Sequence, residues 1–376
     1  MGKHGYEGIG VAFQGGGSLG AYHIGAYKSM SEGGYEPDIV SGISIGAFTA
    51  AIIAGNAPGD RLKNLFGFWD SIAWPDVSSF SKTGIQLKRF HNTLSSIQGF
   101  LFGQPNFFSP RLPVPQFFPA GSIEATSYYD TEELASTLKK FVDFDRINSN
   151  KTRLLLGSVR VKDAVLKFFD TQHAKDNNYR IGPEHVMASG AMPPGFPGIR
   201  VDGDLYWDGG CISNTPLEGI YKAVPEKDML VFMIDLFNPI GKEPEDMNDV
   251  MSRYKDILYS SRTFDHIKHI NKRHNLACAL KKTLEISGSL DKDTYAKLKS
   301  QLRDKLFDIV HIVYDAPPFE VPTRDCEFSK SSIRERAEHG YNDMVKALRE
   351  SPWLKERLPG THSLFSGFRG GNPYDT

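Results

Sequence analysis

Cysteine is scarce in this chain: three in 376 residues, Cys211, Cys278 and Cys326. An odd number at such wide spacing draws neither a disulfide framework nor a CxxC metal pair, and it suits a reducing compartment. An excess of either charge is also missing. Forty-four basic side chains stand against 45 acidic ones, a formal net charge of −1. That excludes a polycation built to hold nucleic acid through its phosphates, and equally an acidic solvating tail. Long hydrophobic runs are absent too. The most apolar stretch, residues 43–55, is 13 residues long and contains Ser44 and Thr49, too short to cross a bilayer. Residues 1–7 lack the apolar core of a secretory signal. The expectation is a cytoplasmic protein, in contact with membranes only peripherally at their surface.

What is present is globular: 40% apolar and 24% charged residues, in a chain long enough to bury a sizeable core. The short apolar run 9–13 reads as a buried strand. Leu19, Tyr22, His23, Ala26, Tyr27 and Met30 then recur at helical spacing until Gly33 and Gly34 stop them. A second strand, 38–43, leads into a small-residue helix, 47–54. Strand, helix, strand, helix opens a parallel α/β sheet. Prolines and phenylalanines dominate residues 73–129, where no regular helix or central strand is expected. A helix capped by Asp130, a hairpin over 153–170, a short helix at 184–190 and a buried strand at 229–236 follow. Charged helices are expected at 249–270, 276–286 and 293–306, then one more strand, 309–314, and a helix, 332–350. Residues 359–376 read as a flexible tail.

Three segments carry chemistry. Gly15, Gly16, Gly17, Ser18, Leu19 and Gly20 follow a strand and open a helix, a setting where bare amides face an anion. Gly42-Ile43-Ser44-Ile45-Gly46 is a GxSxG between strand and helix; a sharp turn there lifts the hydroxyl clear of the sheet, with the helix N-terminus behind it. Asp208-Gly209-Gly210 closes a third strand. All three fall at the carboxyl ends of strands, where α/β sheets place their sites.

This glycine loop, the early GxSxG, residues 188–197 and Asp208-Gly209-Gly210 followed by Asn214-Thr215-Pro216 resemble the patatin-like phospholipase family. The resemblance implies a three-layer α/β fold over residues 8–224, a central mostly parallel sheet flanked by helices. A mainly helical C-terminal extension over 225–358 would complete the core, ahead of the tail at 359–376. It implies a Ser–Asp dyad without histidine: Ser44 as nucleophile, Asp208 as base, and main-chain N–H groups of Gly15, Gly16, Gly17 and Ser18 for the oxyanion. Gly20, Gly42, Gly46, Gly209 and Gly210 would support these turns. No metal and no cofactor are implied, and the partner is a lipid or other acyl-ester substrate. Leu19 stands where the family commonly has Arg or Lys, so a fixed cation beside the loop is missing.

Other readings stay open on the residues alone. An α/β-hydrolase triad would need a histidine after the acid, and His269, His274, His311 and His339 are available, although Ser44 follows only two strands. A dinucleotide module on Gly15, Gly17 and Gly20 would need an acid closing the second strand, whereas Asp38 opens it. A catalytically silent binding protein on the same fold would not need Ser44, Asp208 and the glycines together. His266, His269 and His274 do not share one helix face and read as part of a solvated basic face. The aromatic stretch 100–118 reads either as a connection pinned to the core or as the wall of an acyl-chain pocket.

Overall fold

The structure, a computed structural model, describes residues 5–76, 84–260, 263–287, 291, 293–294, 296, 305–357 and 361–374. Most of the helix expected at 293–306 lies outside the described residues. Strand β1 (Gly8–Phe13) sits at the centre of a mixed sheet. It pairs in parallel with β2 (Ile39–Ile43) on one edge and with a C-terminal strand, Met229–Asp235, on the other. Side chains alternate between two cores, as a strand covered on both faces requires. Val11 and Phe13 face one cluster with the helix α1 (Ala21–Glu32); Ala12 faces the other, with Leu217, Ile220 and Ile267. The helix Lys330–Glu350 lies against α1, where Gly25 and Gly340 let the two backbones touch.

The rest of the sheet explains how two distant motifs meet. After β2 come the helices α2 (Ile45–Ala54), α3 (Pro58–Ile72) and α4 (Ile85–Phe102), and a two-stranded ribbon of β3 (Ser109–Pro110) and β4 (Tyr129–Asp130). Strand β5 (Arg153–Arg160) pairs in parallel with β2 through residues 153–157 and antiparallel with β6 (Val165–Asp170) along its other edge. On the β2 edge, just past Ile43↔Gly157, β5 next pairs antiparallel with β8 (Asp204–Asp208), starting at Ser158↔Asp208. The tips of β2 and β8 therefore abut. β7 (Ile199–Val201) continues this side.

Several expectations are corrected. α4 falls inside the region read as irregular: no proline lies between Pro75 and Pro105, so nothing in the backbone forbids a helix there. The helix expected from Asp130 is capped one residue later, spanning Glu132–Phe141. The charged helices are Met247–Ser260 and Thr263–Ser287, one long helix running through the break expected after 270. The tail is not free. β9 (Met229–Asp235) pairs with β10 (Phe307–Val313), β10 with β11 (Phe365–Arg369), and β11 with β12 (Asn372–Tyr374). Phe368 is buried in the larger core, and that apolar contact holds a segment whose glycines and short length read as frayed.

Candidate active site

Ser44 forms the turn between β2 and α2 with φ 56° and ψ −132°. A non-glycine residue in that region costs about 1–3 kcal/mol and persists only where its surroundings hold it. They do so here. The Ser44 N–H donates to the carbonyl of Ser189 at 3.0 Å and lies 3.2 Å from its hydroxyl, which itself donates to Gly157 O at 2.6 Å. Gly46 makes the sharp turn possible, since a Cβ there would stand 2.1 Å from the Phe13 carbonyl oxygen. Ser44 thus projects its hydroxyl from a fixed point at the N-terminus of a buried apolar helix.

Asp208 ends β8 and is fully buried. Its Oδ1 accepts from the Gly210 N–H at 2.7 Å. The Ser44 hydroxyl faces the same carboxyl group, short of a fully formed hydrogen bond yet near enough to favour its charged form, and Oδ2 has no hydrogen-bond partner. Burial outweighs both favourable contacts and pushes the Asp208 pKa up to about 7. Such a group is half-ionised near neutrality and can take a proton from a hydroxyl beside it.

The glycine loop divides in two. The Gly15 N–H donates to Asn214 Oδ1 at 3.0 Å and the Gly15 carbonyl accepts from Asn214 Nδ2 at 2.9 Å. Gly15 is therefore clamped, and its amide is spent within the protein rather than offered to an oxyanion. Gly17 begins a 3₁₀ turn, Gly17–Gly20, whose first N–H groups have no partner inside the turn. Gly17 has φ +55°, and a Cβ on it would meet the Asp325 carbonyl oxygen at 2.2 Å. The Ser18 side chain turns away from the cavity, donating to Arg324 O at 2.5 Å and accepting from Arg336 Nη1 at 2.9 Å. Arg336 is buried in a bidentate pair with Glu320, both contacts at 2.9 Å. Gly42 and Gly46 flank Ser44, Gly20 packs on Ile45, and Gly209 and Gly210 carry the turn after Asp208.

Ser44, Gly15, Gly16 and Gly17 open onto a cavity of about 250 Å³. Its walls are aromatic: Phe48 from α2, Phe100 from α4, Phe107 and Phe108 from the following connection, and Phe196 and Phe237. The stretch 100–118 thus serves two ends, with Phe107 buried at the cavity and Phe117 in solvent. Ile45, Asn214, Tyr259, Asp325, Cys326 and Phe328 also border the cavity, and none was singled out from the sequence for a role there. Asn214 stood within the recognisable motif, and Ile45 is the residue whose N–H follows the elbow serine at the first helical position. Asp325 to Phe328 gave no local signal, because they act through a turn that only the completed fold brings to the loop. None of the cavity-lining residues is a histidine, and among the described residues no group of metal-ligating side chains comes together.

Comparison with known proteins bears on the family of the chain. A family model described as patatin-like phospholipase matches residues 11–221, and a second, described as patatin phospholipase, matches 257–360. Curated relatives include two proteins named lysophospholipase NTE1. That of Lodderomyces elongisporus is 21% identical over 265 residues, 70% of this chain, and that of Candida albicans is 23% identical over 252 residues, 67% of this chain. In each case the match spans only 15% of the relative's length. Among solved structures, VipD from Legionella pneumophila is similar at 14% identity and a TM-score of 0.39, over 91% of this chain and 67% of that one. With more than half of its length matched by the first model, the chain belongs to the patatin-like phospholipase family.

Proposed function

We propose that the protein hydrolyses acyl esters of lipids (phospholipid, lysophospholipid or neutral glyceride) with Ser44 as nucleophile and Asp208 as its base. The family is one of lipid ester hydrolases, which supports the coarse reading. One observation carries the dyad: a fully buried carboxyl group, facing the elbow hydroxyl, has an otherwise unpartnered oxygen and a pKa pushed up to about 7.

In this scheme the acyl chain lies along the aromatic cavity with its ester carbonyl at Ser44. Asp208 takes the hydroxyl proton as Ser44 Oγ bonds to the carbonyl carbon. The developing oxyanion is met by main-chain N–H groups of Gly16, Gly17 and Ser18 together with that of Ile45 at the N-terminus of α2. Collapse breaks the ester C–O bond, and the proton passes from Asp208 to the leaving alcohol. Water then attacks the acyl-enzyme, giving one proton to Asp208; collapse breaks the bond between the acyl carbon and Ser44 Oγ, Asp208 returns the proton to Oγ, and the fatty acid leaves. Backbone dipoles stabilise the oxyanion, and the scheme calls for no cofactor. The relatives' name, lysophospholipase, together with one apolar cavity beside Ser44, favours substrates with a single acyl chain.

The test is turnover of a p-nitrophenyl ester series beside phospholipid, lysophospholipid and monoacylglycerol. Ser44→Ala and Asp208→Asn should each lower kcat by about 10³-fold or more. A folded Asp208→Asn protein retaining wild-type turnover would overturn the dyad.

A further inference from the structure

Helix α4 is inside out. It buries polar side chains, His91, Asn92, Ser95 and Ser96, against the protein. Toward solvent it turns Leu87, Phe90, Leu94, Ile97 and Leu101, at spacings of three and four residues that form one continuous stripe, with Phe90 62% exposed and Leu101 61% exposed. Isolated exposed apolar residues are ordinary, but a stripe of this length marks a surface made for an apolar medium. A second stripe repeats the pattern. On the helix Met247–Ser260, Met247, Met251, Tyr254 and Leu258 are exposed at spacings of three and four.

The two helices that carry these stripes border the cavity beside Ser44 with other residues. Gly99 and Phe100 of α4 line it, as does Tyr259 near the end of the second helix. Between the helices sit Asp325 and Cys326, also lining residues. Gly99 lies against the Cys326 carbonyl oxygen, and Lys255 of the second helix pairs with Asp325 at 2.5 Å. Two helices, each bearing an exposed apolar ridge, thus stand beside one apolar cavity.

We propose that these two ridges dock the protein onto a phospholipid surface, with the cavity mouth facing the lipid. The inference rests on the lipid-hydrolase reading of the cavity and adds to it how the substrate arrives. An acyl chain rising from a docked membrane passes between the ridges without crossing water. A protein partner seated on the same ridges would cover that path. On α4 the charges agree: it has no acidic residue, and its Arg89 donates to the Pro318 carbonyl and has no acidic partner among the described residues, leaving its charge for headgroup phosphates. The second helix carries Asp249 and Asp256 off its apolar stripe, and Asp256 pairs with Arg324. No described helix is long and apolar enough to cross a membrane. Each stripe runs along a helix whose other side packs on protein, so contact is made with the helices lying flat in the interface.

The experiment is flotation of the full-length protein with phosphatidylcholine vesicles, alongside turnover of a soluble short-chain p-nitrophenyl ester. Wild-type protein should rise with the vesicles. Leu94→Glu/Ile97→Glu and, separately, Tyr254→Glu should partition about tenfold more weakly while hydrolysing the soluble ester within about twofold of wild type, which also reports their folding. Wild-type protein that stays at the bottom of the gradient, or variants that float as well as it does, would overturn the proposal. So would a wild-type dimer in size-exclusion chromatography that these substitutions convert to monomer. If vesicles are bound but no ester is turned over, the docking stands and the hydrolase reading falls.

Discussion

Asp208 and Asp235 close strands of the same sheet, and both are fully buried, yet their surroundings differ in kind. Asp235 faces His311 of β10 across 3.0 Å, and the other ring nitrogen of His311 is hydrogen-bonded to the Tyr374 hydroxyl of β12. Phe264 and Phe365 wall in that imidazole. Asp235, His311 and Tyr374 bring β9, β10 and β12 together, and none of the three lines the cavity. Asp208 has one backbone N–H and a facing hydroxyl, that of Ser44, which itself lines a cavity of about 250 Å³. In the proposed scheme the acid beside an imidazole serves as a fastening and the acid beside the Ser44 hydroxyl serves as the base. His311, one of the histidines a triad would have needed, is engaged with Asp235 and Tyr374 instead.

The sharpest way to break this contrast is to exchange the losses. Asp208→Asn should abolish ester turnover, whereas His311→Gln should leave kcat within about threefold while lowering stability to urea by roughly 3 kcal/mol, because it leaves the buried Asp235 side chain without its neighbour. A His311 variant that is folded and inactive would reverse the assignment. The pH dependence separates the sites further. The folded pKa of Asp208 lies above its unfolded value, so its stabilising contribution is full below about pH 4 and is lost as pH rises toward 7. Relative to wild type, Asp208→Asn should therefore gain stability over that interval, by up to about 4 kcal/mol, read as the difference in urea unfolding at the two ends. Over the same interval wild-type kcat/KM should climb, reaching half its plateau near pH 7.

Smaller effects sharpen the same distinction between groups held and groups left free. Asn214→Ala releases the clamp on Gly15 while touching neither Ser44 nor Asp208. It should lower kcat about 10- to 100-fold with little change in KM, as expected when transition-state donors lose their alignment. An equal rise in KM would place Asn214 in ground-state binding instead. Ser18→Ala removes one of several partners of Arg336 and should cost about 1 kcal/mol in thermal or urea unfolding, with turnover reduced only a few-fold.

Much of the site was legible because its pieces are local. The strand-turn-helix units around Gly15–Gly20 and Ser44 are written in glycine spacing and apolar runs, and Asp208-Gly209-Gly210 marks the end of its strand. What could not be read was anything made by distant chain. Nothing in the sequence around Gly15 says that Asn214 will occupy its amide. Arg336 reads as one more charge on an amphipathic helix until its partners, Ser18 and Glu320, are brought together. α4 escaped notice for a different reason: its apolar positions face outward, so flanking prolines and phenylalanines outweighed its periodicity. β11 and β12 are short, and only the pairing of β11 with β10, and of β12 with β11, gives them a place.

The backing of the glycine loop has a consequence for synthesis. Ser18 and Gly17 rest on Arg324, Asp325 and Arg336, more than 300 residues later in the chain. On the ribosome, the segment bearing Ser44 and Asp208 emerges long before the turn that supports this loop. A nascent chain therefore carries the hydroxyl and the carboxyl group while the loop beside them still lacks its support, which arrives only with residues 324–336.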